Sequence, residues 1–504
     1  MAKNKGQETI ERPPVVAIMG HIDHGKSTLL DYIQKSNIVA GEAGGITQHV
    51  RAYEVAHKTK DGTLKKITFI DTPGHEAFLS SRRRGASIAD IAILIVSAEE
   101  GVKEQTKESL KMILERKAPF VVAITKIDRP NANPNKVKQE LAEANVFVEG
   151  YGGKIPCVLI SAKTGSGVQE LLEMLLLVAE LEELRGEPAA PGQGFVLESH
   201  VDPKVGTSAV CVIKNGTLKT GDFIVIDGAG SKIKRITDAH GKMLGEATFS
   251  APIEITGLST LPAGGNPFEV IHDQKLIKEL AAKVKKGGTR RSARATTVSE
   301  NARGFLPVIL RADTAGTLDA IVSALNKLGT ERFPVKILAS GIGAITEADM
   351  QTAATAADTI VIGFNVGIDK VASDIALHQN SDIKLFDVIY KITEYIADEV
   401  KKRTPKERVE EEVGRARIIK LFNKVGKNKQ LVGGSVLDGV VSPEKVFIVI
   451  RNESEIARGK ILELQIDKTK VKTAEKGAQF GALVESKMTL ATGDILRIIE
   501  TIEK

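Results

Sequence analysis

The stretch Gly20-His21-Ile22-Asp23-His24-Gly25-Lys26-Ser27 fits the pattern G-x-x-x-x-G-K-[ST], and its neighbours leave it few ways to fold. The apolar run 15–19 before it reads as a strand, and Thr28 to Ile33 after it reads as a helix. A turn between such elements gathers backbone N–H groups and the positive end of a helix around one concavity, which suits a triphosphate. In that setting Lys26 bridges the β- and γ-phosphates and the Ser27 hydroxyl holds Mg²⁺. A Gly-rich turn matching the pattern by accident would not need both neighbours.

The next 150 or so residues repeat this alternation of apolar strands and helical stretches, the signature of a parallel sheet covered on both faces. Strands are expected at 15–19, 67–70, 91–97, 120–124 and 157–160, with an amphipathic helix over Gln169 to Leu184 closing the unit. The second strand runs into Asp71-Thr72-Pro73-Gly74-His75. An Asp there can reach Mg²⁺ through water, and Gly74 can offer its N–H to a γ-phosphate. A mobile stretch from Ser80 to Gly85 is expected after it. The fourth strand leads into Thr125-Lys126-Ile127-Asp128. The Asp128 carboxylate can accept from the N1–H and exocyclic amine of guanine, a donor pair that adenine lacks, while the Lys126 stem packs on the base. The fifth leads into Ser161-Ala162-Lys163, whose backbone N–H groups can reach the guanine oxygen. Four motifs in order, each at the C-terminal end of a strand, occupy the edge where open α/β sheets bind ligands. The residues therefore describe a GTP/GDP site.

At 504 residues the chain exceeds one core, and about three to five domains are expected. The fold class expected is multidomain α/β plus β. A polar tail, 1–12, precedes the P-loop GTPase domain at 13–186. After the Pro/Gly boundary at 187–192 the texture changes to short β runs split by turns such as Asn215-Gly216 and Asp227-Gly228, which reads as a β-barrel over 192–286. A basic linker at 287–303 leads to an α/β/α sandwich at 304–386, a connecting helix at 387–411 that Pro405 breaks or kinks, and a C-terminal β-barrel at 412–504. Net charge is uneven: +6 over 283–303, +5 over 412–504, and −5 elsewhere. That asymmetry suits a polyanionic partner, nucleic acid foremost, and equally a solvated basic surface. Cys157 and Cys211 sit in apolar runs without metal-ligand spacing, as buried core thiols of a reducing, cytoplasmic setting. No membrane span and no signal peptide are expected.

With these motifs in place the chain resembles the translational GTPases, and within them the bacterial initiation factor two family. The carriers are Gly20 to Thr28 (GHIDHGKST), Gly41 to His49 (GEAGGITQH), Asp71 to His75, and the domain order. Gly341 to Asp349 (GIGAITEAD) and Ile362 to Val366 match that family's third domain, which other translational GTPases lack. The resemblance implies that His75 is the catalytic residue orienting the attacking water once the ribosome docks. It implies that Thr47 closes on Mg²⁺ and the γ-phosphate. Ile22 and Ile46 would gate His75, and Asp23 would help hold a monovalent cation. It implies a cytoplasmic monomer whose partners are the small and large ribosomal subunits and initiator tRNA, and whose GTP hydrolysis accompanies subunit joining.

Three departures from the family pattern matter. Thr125 stands where the guanine motif usually has Asn; its hydroxyl can still bind a backbone group. The polar residues before Arg12 replace a long variable extension, so contacts tied to that extension are not expected. The C-terminal barrel reads Gly433-Gly434, Gln479-Phe480-Gly481 and Gln465-Ile466-Asp467-Lys468 where the family recognises formylmethionine. Lys468, Lys470 and Lys472 are candidate contacts to the tRNA acceptor end, or one solvated strand face. The alternatives are a GTP-gated ribosome-binding module without formylmethionyl-tRNA selectivity, or another tRNA-delivering GTPase such as the selenocysteine-specific elongation factor. The third domain argues against the latter. A metabolic P-loop kinase would need neither Asp128 nor two barrels.

Overall fold

The computed structural model describes residues 9–34, 48–202, 204–273, 276–277, 279, 304–330, 333–379, 381–404, 408–424, 428–467 and 469–503. The expected linker at 287–303, the switch residues Ile46 and Thr47, and Lys468 lie outside them. The chain divides into two compact units, Met1–Arg403 and Thr404–Lys504.

In the first unit, β1 (Val15–Gly20), β2 (Arg51–Lys58), β3 (Leu64–Asp71), β4 (Ile91–Ser97), β5 (Phe120–Thr125) and β6 (Cys157–Leu159) form one sheet in the order β2-β3-β1-β4-β5-β6. Every pairing is parallel except β2 with β3. β1 and β4 are buried at every position, so their apolar runs are continuous rather than alternating, as covering on both faces requires. Helices α1 (Lys26–Gln34), α2 (Leu79–Ile88), α3 (Glu104–Arg116), α4 (Pro134–Glu143) and α5 (Val168–Leu181) accompany it. α5 buries Leu171, Leu172, Leu175 and Leu176 against the β1–β4–β5 face.

At two places the structure differs from the expectation of a mobile stretch and of two buried thiols. The Ser80 to Gly85 stretch is helical, inside α2, and its Arg82 is the largest fully buried side chain of the described residues. Cys157 is half-buried, because β6 is an edge strand; Cys211 is buried.

A β unit follows, built on the long antiparallel pair β7 (Gln193–Asp202) and β8 (Gly206–Asn215) within an eight-stranded sheet, with a separate two-stranded ribbon. Its core gathers Val196, Cys211, Ile224, Ile253 and Phe268.

A second α/β part contains β9 (Leu306–Ala312), α6 (Ala315–Asn326), β10 (Phe333–Ile342), α7 (Glu347–Ala353), β11 (Ile360–Phe364), α8 (Lys370–Gln379), β12 (Asp382–Phe386) and α9 (Ile389–Arg403). The strands run parallel in the order β10-β9-β11-β12. The α6 start is fixed by a capping box between Thr314 and Thr317. α9 ends at Arg403, not at residue 411, two residues before Pro405.

The second unit is a β-barrel. Strands β13 (Arg408–Lys424), β14 (Lys429–Val441), β15 (Val446–Arg451), β16 (Ser454–Ile466), β17 (Gln479–Ser486) and β18 (Ile495–Glu503) pair in the ring β13-β18-β15-β16-β17-β14, which β13–β14 pairing closes. The barrel starts at Arg408, before the expected 412. Closure removes the free edges that an open antiparallel sheet would expose.

Candidate nucleotide site

The C-terminal ends of β1, β3, β5 and β6 share one sheet edge, and each carries one of the sequence motifs. Lys26 opens α1 and is buried, with only 7% of its surface exposed. Its Nζ donates to the carbonyls of Gly20 at 2.9 Å and His21 at 2.7 Å. Burial is the main force pulling its pKa down to about 8, and the nearby Asp71 carboxylate opposes that pull. An ammonium held among carbonyls at the head of a helix presents concentrated positive charge to an entering phosphate.

Gly74 forms the facing wall. A Cβ there would meet Lys26 Nζ at 2.6 Å and Ile22 Cγ1 at 2.9 Å, so any larger residue would push the Lys26 or Ile22 side chain from its place. This places the expected gate residue Ile22 directly against the Asp71–His75 loop. Gln105 Oε1 accepts the Ile22 N–H at 3.0 Å. Asp23 sits at the loop's tip with φ of 61°, in the left-handed region. His24 is fully buried; burial pulls its pKa down to about 4, so it is neutral, and its Nδ1 accepts from Ser97 N–H.

Asp71 ends β3, only 4% exposed, and the Thr72 hydroxyl donates to the Ile18 carbonyl at 3.0 Å, tying β3 to β1. A carboxylate oxygen and the Ser27 hydroxyl in the first turn of α1 are hard oxygen donors of the kind Mg²⁺ takes. Arg82 reaches back from α2 to the carbonyls of Pro73, Gly74 and His75, and its other nitrogen pairs with Glu108 at 3.0 Å. This clamp on the Asp71–His75 loop was not legible in sequence. His75 caps the short helix Glu76–Phe78, its Nδ1 accepting from Ala77 N–H at 3.0 Å, which assigns the proton of the neutral ring to Nε2. Burial lowers its pKa further.

At the base end, the Thr125 hydroxyl donates to the His24 carbonyl at 2.6 Å, linking β5 to the phosphate loop. Lys126 has φ of 59° and its Nζ lies 3.3 Å from Glu100. The Asp128 Oδ1 accepts from the Ser161 hydroxyl at 2.7 Å, which with the nearby cations lowers the carboxylate's pKa. The Ser161 N–H is donated to the Ser166 carbonyl at 2.9 Å, so of Ser161, Ala162 and Lys163 only the last two amides remain for a base oxygen.

The site is tied to its neighbours by contacts between residues far apart in sequence. Glu198 on β7, 4% exposed, accepts from Val50 N–H at 3.1 Å and from Gly316 N–H, at the start of α6, at 2.8 Å. The Gln48 side chain spans the Asp387 carbonyl and the Ile389 N–H at the head of α9. Phe78 lies within the α/β unit's own core, among Leu306, Ile321 and Ile392. In the barrel, Lys470 is exposed and paired with Glu463 at 2.9 Å, and Lys472 is exposed.

Comparison with known proteins is consistent across the chain. The family model for the elongation factor Tu GTP binding domain matches residues 11–180, that for elongation factor G domain 2 matches 191–271, and that for translation-initiation factor 2 matches 282–397. Translation initiation factor IF-2 of Rubrobacter xylanophilus is 39% identical over 99% of this chain and 72% of its own length. The IF-2 of Anoxybacillus flavithermus is 39% identical over 97% of this chain and 68% of its own. Other IF-2 relatives are covered over as little as 50%, so the chain spans half to about seven-tenths of the curated relatives it matches. Among solved structures, GDP-bound aIF5B from Aeropyrum pernix is 28% identical, covering 97% of this chain and 92% of that one, with a TM-score of 0.47.

Proposed function

Because the chain belongs to the translation initiation factor IF-2 family, we propose that it is a ribosome-stimulated GTPase of translation initiation, working as a cytoplasmic monomer with the ribosomal subunits and initiator tRNA. The observation that carries this is the joining of Asp128 and Ser161 at the same sheet edge as Lys26 and Asp71, which supports a guanine-selective triphosphate site. In this reading Asp128 accepts from the guanine N1–H and amine, Lys126 flanks the base, and the Ala162 and Lys163 amides meet the base oxygen. Gly20, His21, Ile22, Asp23, His24, Gly25, Lys26, Ser27 and Thr28 surround the phosphates, with Gly74 opposite. Ser27, Thr47 and Asp71 would hold Mg²⁺, with Asp71 acting through water. Bound there, the ion supplies charge neutralisation on the phosphate oxygens. Asp23 is kept as a candidate monovalent-cation ligand. His75 positions the attacking water by hydrogen bonding from Nε2 rather than by covalent chemistry.

Lys470, Lys472 and Lys468 remain the candidate tRNA contacts of the barrel. A second reading, a GTP-gated ribosome-binding module indifferent to tRNA, is favoured by the pairing of Lys470 with Glu463 and by the Gly433 and Gln479 departures. Among the described residues no helix is long and apolar enough to cross a membrane. The test is binding of formylated and unformylated initiator tRNA to the GTP-analogue form, together with subunit joining followed by light scattering. Tighter binding of the formylated species and faster joining support the proposal. Faster joining with indifference to both tRNAs leaves the module reading, and no effect on joining defeats both.

A further inference from the structure

The imidazole of His75 is held from two sides. Ala77 N–H donates to its Nδ1 from within the loop. From across the unit, the ring of Tyr390, second residue of α9, meets it edge to face with centroids 4.4 Å apart and planes at 88°. Edge-to-face geometry at this spacing is an attractive aromatic contact beyond simple burial. Both partners are anchored: Arg82 grips the His75 carbonyl, and the Gln48 amide fixes the head of α9. Glu76 beside His75 is paired with Lys327 at 2.6 Å, a further tie to the α/β unit. Burial and the nearby Asp23 carboxylate both raise the Tyr390 pKa, so its ring stays neutral and the contact is not itself titratable at physiological pH.

We propose that Tyr390 is a positioning residue that parks His75 against the α/β unit, so that GTP hydrolysis stays slow until α9 moves its ring away. The inference rests on the reading of His75 given above. It places the restraint on the helix that leads, through Thr404, into the C-terminal barrel. A gate made only of Ile22 and Ile46 would leave the catalytic side chain insensitive to that helix.

The experiment compares the wild type with Tyr390→Leu and Tyr390→Phe in the full chain. Its readouts are ribosome-free single-turnover GTP hydrolysis and the His75 ring-proton resonances. Tyr390→Leu is expected to raise ribosome-free hydrolysis by about two- to tenfold, the scale of one edge-to-face pair. Tyr390→Phe, which keeps the ring, gives the smaller rise. In Tyr390→Leu the His75 resonances, displaced by the Tyr390 ring current, move toward their free-imidazole positions, whereas in Tyr390→Phe they stay displaced. In a His75→Ala background Tyr390→Leu gives no gain. An equal gain there, or His75 resonances indifferent to Tyr390→Leu, overturns the proposal. Resonances that move in a protein that never hydrolyses GTP on ribosomes would support the parking contact and defeat the functional reading instead.

Discussion

The Ser161 hydroxyl donates to the Asp128 carboxylate at 2.7 Å, so the loops after β5 and β6 hold one another in register for a base. Asp128→Asn removes the charge and replaces one of the two acceptor oxygens with an NH₂ donor, which opposes one of the guanine donors. Guanine-nucleotide affinity should fall by about 10²- to 10⁴-fold, the loss of two charge-assisted hydrogen bonds, while xanthine nucleotides gain. Ser161→Ala, which only frees the carboxylate, should cost about three- to tenfold. Equilibrium binding of fluorescent GDP measures both. Equal loss in the two variants would sink the assignment of Asp128 as the base reader.

Glu198 joins three parts of the chain through the Val50 and Gly316 amides, all out of water. Glu198→Ala leaves two buried N–H groups without their acceptor and should destabilise the first unit by about 2–4 kcal/mol. Glu198→Gln, with one oxygen retained, should lose about half of that. Gly316→Ala should act similarly, since its Cβ would lie 2.4 Å from Glu198 Oε1. Denaturant unfolding provides the measurement, and a Glu198→Ala loss below about 0.5 kcal/mol, the range of ordinary surface changes, would refute the account of this junction.

Lys214 on β8 reaches into the nucleotide-binding unit, donating to the Ile88 carbonyl at 3.0 Å and pairing with Asp90, which also takes the Arg12 guanidinium at 2.7 Å. Burial is the main force pulling Lys214 down to about 8 from its ordinary value near 10.5. Between those two values the unfolded chain carries a proton that the folded chain does not, so the Lys214 contribution to stability rises with pH across that window. The difference in unfolding free energy, wild type minus Lys214→Met, should therefore climb from pH 8 to about 10.5 and stay flat below pH 7. A flat difference across the alkaline range would contradict it. Asp90 has the same sign in a different window: Arg12 and Lys214 hold its pKa low despite burial, so its stabilisation is present above the ordinary carboxylate range and is lost as pH falls through that lowered value.

The strands and loops at the sheet edge were legible because parallel strands buried on both faces read as unbroken apolar runs, and their terminal motifs are local in sequence. Residues at the junctions were not. Glu198, Gln48 and Tyr390 act on partners 118 to 341 residues away, and nothing in their own neighbourhoods marks them. Arg82 was hidden by composition: Ser80 to Gly85 is polar enough to read as loop, yet α2 turns the Arg82 guanidinium inward onto the His75 loop. The edge strand β2 is not among the expected strands, because its R-A-Y-E-V-A-H-K sequence lacks the unbroken apolar run of a strand buried on both faces. In the barrel the Gly framework announced a closed β structure, while partners such as Glu463 for Lys470 emerge only from pairing across the β16 hairpin.

The most direct test of the account is GTP turnover with and without ribosomes, in the wild type and in His75→Ala. Ribosomes are expected to accelerate the wild type strongly. His75→Ala is expected to bind GTP with near-normal affinity yet lose about 10²- to 10⁴-fold of the stimulated rate, as loss of a water-positioning group does. A wild type indifferent to ribosomes, or a His75→Ala variant that hydrolyses GTP on them at the normal rate, would contradict it.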